Sequence, residues 1–273
     1  MSAAAPAIDH PSRFLRFFKV GDIFDNALRG DVDEVYVTAF RNTAEHDRLI
    51  RLLEDWGFRE FGTKGDKGEK VWVRDFKPAV DSQDPRKTFP YVSRKSKKFI
   101  VAIKPEYHTE LLPDSILKTE KSEKYQHDMP YRNALSKVFI SRSIERGMRA
   151  GDLVVFYRTA DRGAGYHTSV ATSIGVVQGM IDGIPNVRAF IAACRKRSVF
   201  TDPKLEEFWD AKPNWRPFVL NFLVYSLPKR PNLKALQEND IIQAAPRGFD
   251  PMSDDAFERL LKVSNAKTGF VVG

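Results

Sequence analysis

Two short, uninterrupted apolar runs, FIVAI at 99–103 and LVVFY at 153–157, restrict the fold of this chain more than any other part. Each run has five residues, is rich in β-branched and aromatic side chains, and is shorter than a typical helix. The first predicts a strand. The second predicts a strand buried in the interior, because none of its side chains is suited to solvent.

The remaining elements follow from alternating or helical patterns of apolar residues. The predicted helices are Ser12–Arg29, one from Asn42 or Thr43 to Trp56, Tyr107–Leu117, Val187–Phe200 and Asp254–Lys262. The other predicted strands are Glu34–Phe40, Phe58–Thr63, Lys70–Phe76, Ala134–Ser141, Ser169–Gly179 and Phe218–Leu227. A charged loop is expected at Lys118–Asp128 and a flexible turn at Gly163–Gly165. Short strands with interspersed helices indicate an α+β fold built on a barrel.

The chain divides into two parts of opposite charge. The segment from Pro78 to Lys98 is rich in proline and charge and marks a boundary, so we expect a unit at 12–78, a linker at 79–96 and a domain at 97–273. Residues 1–84 hold 13 Lys and Arg against 16 Asp and Glu, whereas residues 85–273 hold 31 against 20. The net charges of −3 and +11 leave two interpretations of the second part, a solvated basic surface or a face that attracts phosphates.

Other classes of protein are disfavoured by composition. No apolar run approaches the ~18 residues of a membrane span, and Met1–Pro11 lacks the apolar core of an export signal. Cys194 is the single cysteine, and the histidines show no paired metal-ligand spacing. We therefore expect a cytoplasmic protein without a cofactor, a metal site or a membrane partner.

The first part resembles the second half of the GNAT acetyltransferase fold. The resemblance rests on the order helix, strand VYVTAF, helix and strand KVWVRDF, with Asn42 after the first strand and Trp56-Gly57-Phe58 after the helix. In that family a glycine-bearing loop grips the pyrophosphate of acetyl-CoA, but Phe14–Lys19 contains no glycine. Leu53 stands where the family often has a tyrosine acid. The comparison implies a truncated unit that packs on the second domain, on a partner protein or on another copy.

The second part resembles the EVE and ASCH domains of the PUA-like superfamily. The matching segments are Tyr131–Ala134, Met148–Arg158, Ile174–Val177, Trp215–Phe218, Asn232–Leu236 and Ala245–Leu261. This resemblance implies a mixed β-barrel with flanking helices. It also implies a pocket that, in many members, holds a flipped or modified base or an RNA segment.

A base-sized pocket needs aromatic faces for stacking and a few directed polar groups. The candidates for stacking are Tyr131, Phe156, Tyr157 and Trp215. The alternatives are a core position for Phe156 and a plug of the barrel end for Trp215. The base edge and phosphates would be contacted by Arg132, Asn133, Lys137, Arg158 and Arg247. Six of these residues are expected to line one concavity at a barrel mouth: Tyr131, Arg132, Asn133, Tyr157, Arg158 and Trp215. A basic helix carrying Arg195-Lys196-Arg197 presents either a solvated face or further phosphate contacts.

Three functions remain open from the sequence. The first is a non-enzymatic protein that binds DNA or RNA. The second is an acetyl-CoA-dependent N-acetyltransferase completed by oligomerisation or by a partner chain. The third is a hydrolase of a modified nucleoside, in which Lys137 would take the lysine role of ASCH-type amidohydrolases. No catalytic residue is assigned, because the glycine-lysine-glutamate-arginine arrangement of those enzymes is absent.

Overall fold

A computed structural model describes residues 32–39, 44–66, 68–117, 130–160 and 165–273, without the side chains of Glu45, Pro130 and Asn133. Several predicted features lie outside the described residues. They are the helix Ser12–Arg29 with its segment Phe14–Lys19, the residues Asn42 and Thr43, the loop Lys118–Asp128, and the turn Gly163–Gly165 except for its last residue.

The first part contains a three-stranded antiparallel sheet covered by one helix. Its elements are β1 (Glu34–Ala39), α1 (Ala44–Asp55), β2 (Arg59–Lys64) and β3 (Glu69–Asp75), with β3 in the centre of the sheet. Leu53 of α1 is buried together with Trp72 of β3. The strands and the helix predicted for this region are confirmed, with boundaries shifted by one or two residues.

The second part is built around a larger sheet. Its elements are β4 (Val92–Ser93), β5 (Lys98–Ile103), α2 (Pro105–Leu111), α3 (Pro130–Asn133), β6 (Ser136–Ser141), β7 (Leu153–Arg158), α4 (Gly165–Thr168), β8 (Val170–Ile181), α5 (Val187–Cys194), α6 (Asp202–Asp210), β9 (Phe218–Ser226), α7 (Leu233–Glu238), β10 (Phe249–Met252), α8 (Asp254–Val263) and β11 (Val271–Val272). Within the described ranges, no helix combines the length and the apolarity needed to cross a membrane.

The six strands of the large sheet follow the order β10-β5-β7-β8-β9-β6. The two apolar runs form β5 and β7, which are adjacent and parallel, while the other pairs are antiparallel. All six residues of β7 are buried. A strand that is covered on both faces must be apolar at nearly every position, which is why these runs lack alternation.

The predicted closed barrel is not found among the described residues. No backbone hydrogen bonds join the edge strands β10 and β6, so the sheet is open. It is nevertheless strongly curled. Five strand spacings would put the edges about 24 Å apart in a flat sheet, yet the rings of Phe139 in β6 and Phe249 in β10 lie 5.7 Å apart. Side-chain packing, rather than a hydrogen-bonded seam, brings the edges together.

The two faces of the large sheet carry separate cores. The inner core fills the curl with alternate side chains of the strands, including Val154, Phe156 and Phe222. The outer core takes most of the other side chains and continues through α7 and α8 into the first part, where it includes Trp72. Val138 of β6 and Val219 of β9 instead form a third core with α5 and α6. Segment 79–96, the expected linker, contributes Phe89 and Val92 to this outer core, and its strand β4 pairs with β11.

The basic helix predicted at Val187–Phe200 is shorter than expected. It ends at Cys194, because Arg195 leaves the helical conformation, with φ −50° and ψ 137°, and Lys196 adopts a left-handed φ of 63°. The basic triplet therefore lies in a turn rather than on a helix face. Its arginines contact neighbouring elements, with Arg195 paired to Asp202 and Arg197 bonded to Asn221. The following helix α6 and the edge strand β10 were not predicted.

Replacing Gly175 in β8 with alanine should destabilise the inner core. A Cβ at Gly175 would lie 2.9 Å from Phe156 Cε2 and 3.0 Å from Phe222 Cδ2, and both rings are fully buried. We expect the free energy of unfolding in urea to fall by about 1–3 kcal/mol, as for other overpacked cores.

Gly179 on the same strand provides the matched control. A Cβ there meets nothing within 4 Å, so Gly179→Ala should leave the unfolding midpoint nearly unchanged. Equal losses for the two alanine variants would contradict the packing account.

Candidate nucleic-acid interface

The residues expected to share one concavity lie at two opposite ends of the large sheet. Antiparallel pairing from β7 through β8 and β9 to β6 puts the end of β7, at Arg158, and the start of β6, near Arg132, at the same end. Trp215 precedes β9 and lies beside Arg142, which follows β6, at the other end. The length of β6 separates the ends by about 17 Å, at about 3.4 Å per residue. The prediction that Trp215 joins the others is therefore wrong.

Tyr157 must also be removed from the expected concavity. Successive side chains of a strand point to opposite faces, so Tyr157 and its neighbour Arg158 cannot line the same hollow. Tyr157 is 1% exposed and belongs to the outer core. Burial raises the pKa of its hydroxyl, while the nearby Ser169 hydroxyl has a smaller, opposite effect. A base could not stack on this ring without opening the core.

The end of the sheet that carries Arg158 is termed here the polar end. Its centre is the carboxylate of Glu110 in α2, which accepts hydrogen bonds from the Tyr131 hydroxyl at 2.9 Å and from Arg132 Nη1 at 3.1 Å. Lys137 Nζ donates to the main-chain carbonyls of Tyr131 and Arg132, at 2.9 and 3.2 Å. Burial, followed by the bond to Glu110, raises the pKa of Tyr131 to about 12. These contacts tie α2, α3 and β6 together.

A buried chain of polar side chains adjoins the polar end, and the sequence did not predict it. His108 Nε2 lies 2.8 Å from Thr172 Oγ1, Ser173 Oγ lies 3.4 Å from that oxygen, and Ser115 Oγ bridges Ser173 and Ser226 at 2.6 and 2.8 Å. Thr172 also donates to the Phe156 carbonyl. The five residues come from four separate segments, and no local pattern identifies them.

The imidazole of His108 is neutral in this series of hydrogen-bonded side chains. Its side chain is fully buried, and burial lowers its pKa to about 3, helped by the positive charges of Arg158 and Arg230. Since Thr172 donates to a carbonyl, it accepts from Nε2–H of His108, which leaves Nδ1 as the unprotonated nitrogen. Nδ1 is buried and has no hydrogen-bond partner among the described residues.

The opposite end of the sheet carries an outward-facing aromatic and basic surface, termed here the Trp215 face and formed by Trp215, Arg142, Arg146 and Arg216. Trp215 is 44% exposed. Its indole Nε1 donates to the Arg142 carbonyl, and Arg142 Nε donates to the Trp215 carbonyl at 3.0 Å. These reciprocal bonds fix the indole in place while part of it stays in solvent.

Each arginine of the Trp215 face lies over an aromatic ring. The Arg142 guanidinium is 4.0 Å from the Phe208 ring centroid, and that of Arg216 is 4.5 Å from the Trp209 ring. Arg146 lies 5.5 Å from the Trp215 ring. Such cation–π contacts hold the charged groups near the surface in defined positions.

Two predicted contacts remain to be placed. Arg247 is exposed beside β10, where its backbone N–H donates to Asp250 at 3.2 Å, and the following Gly248 lies near Ser143, the residue after Arg142. Asn133 ends α3 at the polar end, but its side chain is not among those described. Within the described ranges, no three His, Cys, Asp or Glu side chains form a group that could hold a metal ion.

Comparisons with known proteins gave two structural matches. No family model matches the chain, and no curated protein matches it in sequence. The crystal structure of ASCH from Zymomonas mobilis is 12% identical, with a TM-score of 0.42, and the match covers 62% of this chain and 96% of that one. A mutant of the same protein gives 11% identity, the same TM-score and 61% and 96% coverage. At this agreement, site residues cannot be transferred from one chain to the other.

The neutral state of His108 should make stability depend on pH. Its folded pKa of about 3 lies below the ordinary value of 6.5, so the unfolded chain takes up a proton first as pH falls. The free energy of unfolding should therefore decrease from about pH 6.5 towards pH 3, by on the order of 4 kcal/mol for a group shifted this far. Urea unfolding over this pH range measures the slope.

His108→Gln removes the titrating group and should flatten the slope relative to the unchanged protein. His167→Gln serves as the control, because His167 is exposed. Parallel curves for the unchanged protein and His108→Gln would contradict the assignment.

Proposed function

We propose that this protein binds single-stranded nucleic acid on the Trp215 face. The observation that carries the proposal is the half-exposed indole of Trp215, fixed by two hydrogen bonds and surrounded by three arginines. Nucleic-acid proteins that act without strict sequence preference combine aromatic platforms for stacked bases with basic groups that follow the backbone. This face has both components.

The charges of the Trp215 face favour an anionic ligand. Burial lowers the pKa of Arg142, and repulsion by the neighbouring positive charge of Arg216 lowers it further. A phosphate between them would relieve this repulsion. Arg146 and Arg216 also pair with Asp182 and Asp210, but ion pairs at exposed sites are weak and a phosphate can displace them.

The assignment of residues 97–273 to an ASCH-type, PUA-like domain is part of the same proposal. It is supported by the sequence segments named above and by the α+β architecture with one curled sheet. We propose that the polar end, with Tyr131, Arg132, Lys137 and Arg158, contacts a bound base or an RNA segment. Their convergence at one end of the sheet supports this part of the proposal.

The first part is proposed as a truncated GNAT-like unit that contributes packing rather than catalysis. The order of β1, α1, β2 and β3 supports the resemblance. The outer core runs from this unit into the large sheet, which supports a packing role.

Trp215→Ala should weaken the binding of single-stranded oligonucleotides without unfolding the protein. Loss of one stacking platform typically costs about 1–3 kcal/mol of binding free energy. Fluorescence anisotropy with labelled 12-nucleotide RNA and DNA measures the effect, and urea unfolding of the same variant measures its stability.

Phe61→Ala is the matched control, since Phe61 is an exposed aromatic residue of the first part. Its affinity should equal that of the unchanged protein. Undiminished affinity of a folded Trp215→Ala protein would remove the Trp215 face from the proposal.

Salt should weaken this binding steeply. The logarithm of the binding constant falls linearly with the logarithm of the salt concentration. Each phosphate of a single strand that the protein neutralises contributes about −0.7 to the slope of this line. Arg142→Gln and Arg216→Gln should each reduce the slope by about that amount. An affinity that does not change between low and physiological salt would contradict phosphate binding.

A further inference from the structure

A cavity of about 570 Å³ opens beside the edge strand β10, on the outer side of the sheet. It lies between β10, the loop 240–247 and α8. Its apolar lining includes Ile100, Ile241, Met252 and Ala256, four side chains of the outer core. Phe249, by contrast, points from β10 into the inner core. The cavity is therefore separate from the hollow of the curled sheet.

The walls of the cavity are held by hydrogen bonds. Gln237 Nε2 donates to the Gln243 carbonyl at 2.7 Å, and Arg259 Nη2 donates to the Asp240 carbonyl at 2.7 Å. The second bond joins α8 to the loop that faces it. The cavity is thus formed before a ligand arrives, so little conformational entropy would be lost on binding.

The polar groups of the cavity have mixed charge. Arg247 and Arg259 supply two exposed guanidinium groups, and among the described residues that of Arg247 has no hydrogen bond or ion pair. Asp240 and Asp250 supply two carboxylates, of which Asp250 already accepts the backbone N–H of Arg247. A single negative charge can contact a guanidinium group, whereas a multiply charged phosphate would be repelled by the two carboxylates.

We propose that this cavity binds a small amphipathic monoanion, a carboxylate or sulfonate with an apolar body. The apolar floor would take the body, and Arg247 and Arg259 would contact the anionic group. The cavity opens on the outer side of β10, whereas Phe249 on the inner side of that strand lies 6.0 Å from Phe218 at the start of β9, near Trp215.

Isothermal titration calorimetry with three naphthalene derivatives tests the proposal on the full chain. Naphthalene-1-sulfonate is the anion, 1-naphthalenemethanol the neutral analogue and 1-naphthylmethylamine the cation. We expect saturable 1:1 binding in the order anion, neutral, cation. Adenosine monophosphate, which carries two negative charges, should bind at least about tenfold more weakly than the sulfonate, a factor equivalent to 1.4 kcal/mol.

Variants on the cavity rim separate its charge from its shape. Arg247→Gln and Arg259→Gln should weaken the sulfonate about tenfold each and leave the neutral analogue unchanged. Ala244→Trp, at an exposed position of the lining, should block both ligands. Arg195→Gln is the matched control, because it removes an exposed positive charge between α5 and α6.

Several outcomes would overturn the proposal. One is the absence of saturable binding, and another is equal affinity for the anion and the cation. A third is an equal loss of sulfonate affinity in Arg195→Gln and in the two rim variants. Displacement of the sulfonate by an oligonucleotide would also overturn it, since the cavity would then belong to the nucleic-acid surface. Oligonucleotide affinity that is unchanged in Arg259→Gln keeps the two proposals distinguishable.

Discussion

Packing of phenylalanine rings inside the curled sheet is the interaction on which the other features of the second part depend. Edge strands that would be about 24 Å apart in a flat sheet are brought together by the contact between Phe139 and Phe249. Phe156 and Phe222 fill the centre, 4.8 Å apart, and Gly175 leaves them room. The curl therefore depends on how tightly aromatic side chains pack rather than on backbone pairing, and an open sheet keeps the shape that a barrel would have.

Curling also decides which residues reach solvent. The alternation of β7 sends Tyr157 into the outer core, which also contains residues of the first part, α7 and α8. Arg158, the last residue of β7, points to the opposite face at the polar end. Because this core continues into the first part, Trp72 and Phe89 pack in the same cluster as Leu153. The two parts are therefore joined by buried apolar surface, and segment 79–96 belongs to that surface.

The sequence predicted the longer strands and several helices well, because their signals are local, whereas it missed β10 and α6. The apolar composition of the run LVVFY is enough to predict a buried strand, and the spacing of apolar residues in Asp254–Lys262 predicts a helix. Strand order and sheet curvature are not local. The position of Trp215 depends on the direction of β9, and the chain from His108 to Ser226 joins segments that lie far apart in sequence. The types of side chain were predictable, whereas their grouping was not.

The net charge of +11 in the second part also takes its meaning from this grouping. Arg132 and Lys137 are buried and hold α2, α3 and β6 together through Glu110 and main-chain carbonyls, so much of their charge serves the fold. The arginines of the Trp215 face lie over aromatic rings near solvent, where a phosphate can reach them. Counting basic residues treats these two sets as equal. Their surroundings distinguish charge that mainly stabilises the protein from charge that is exposed to a ligand, and the second kind is the basis of the proposal for the Trp215 face.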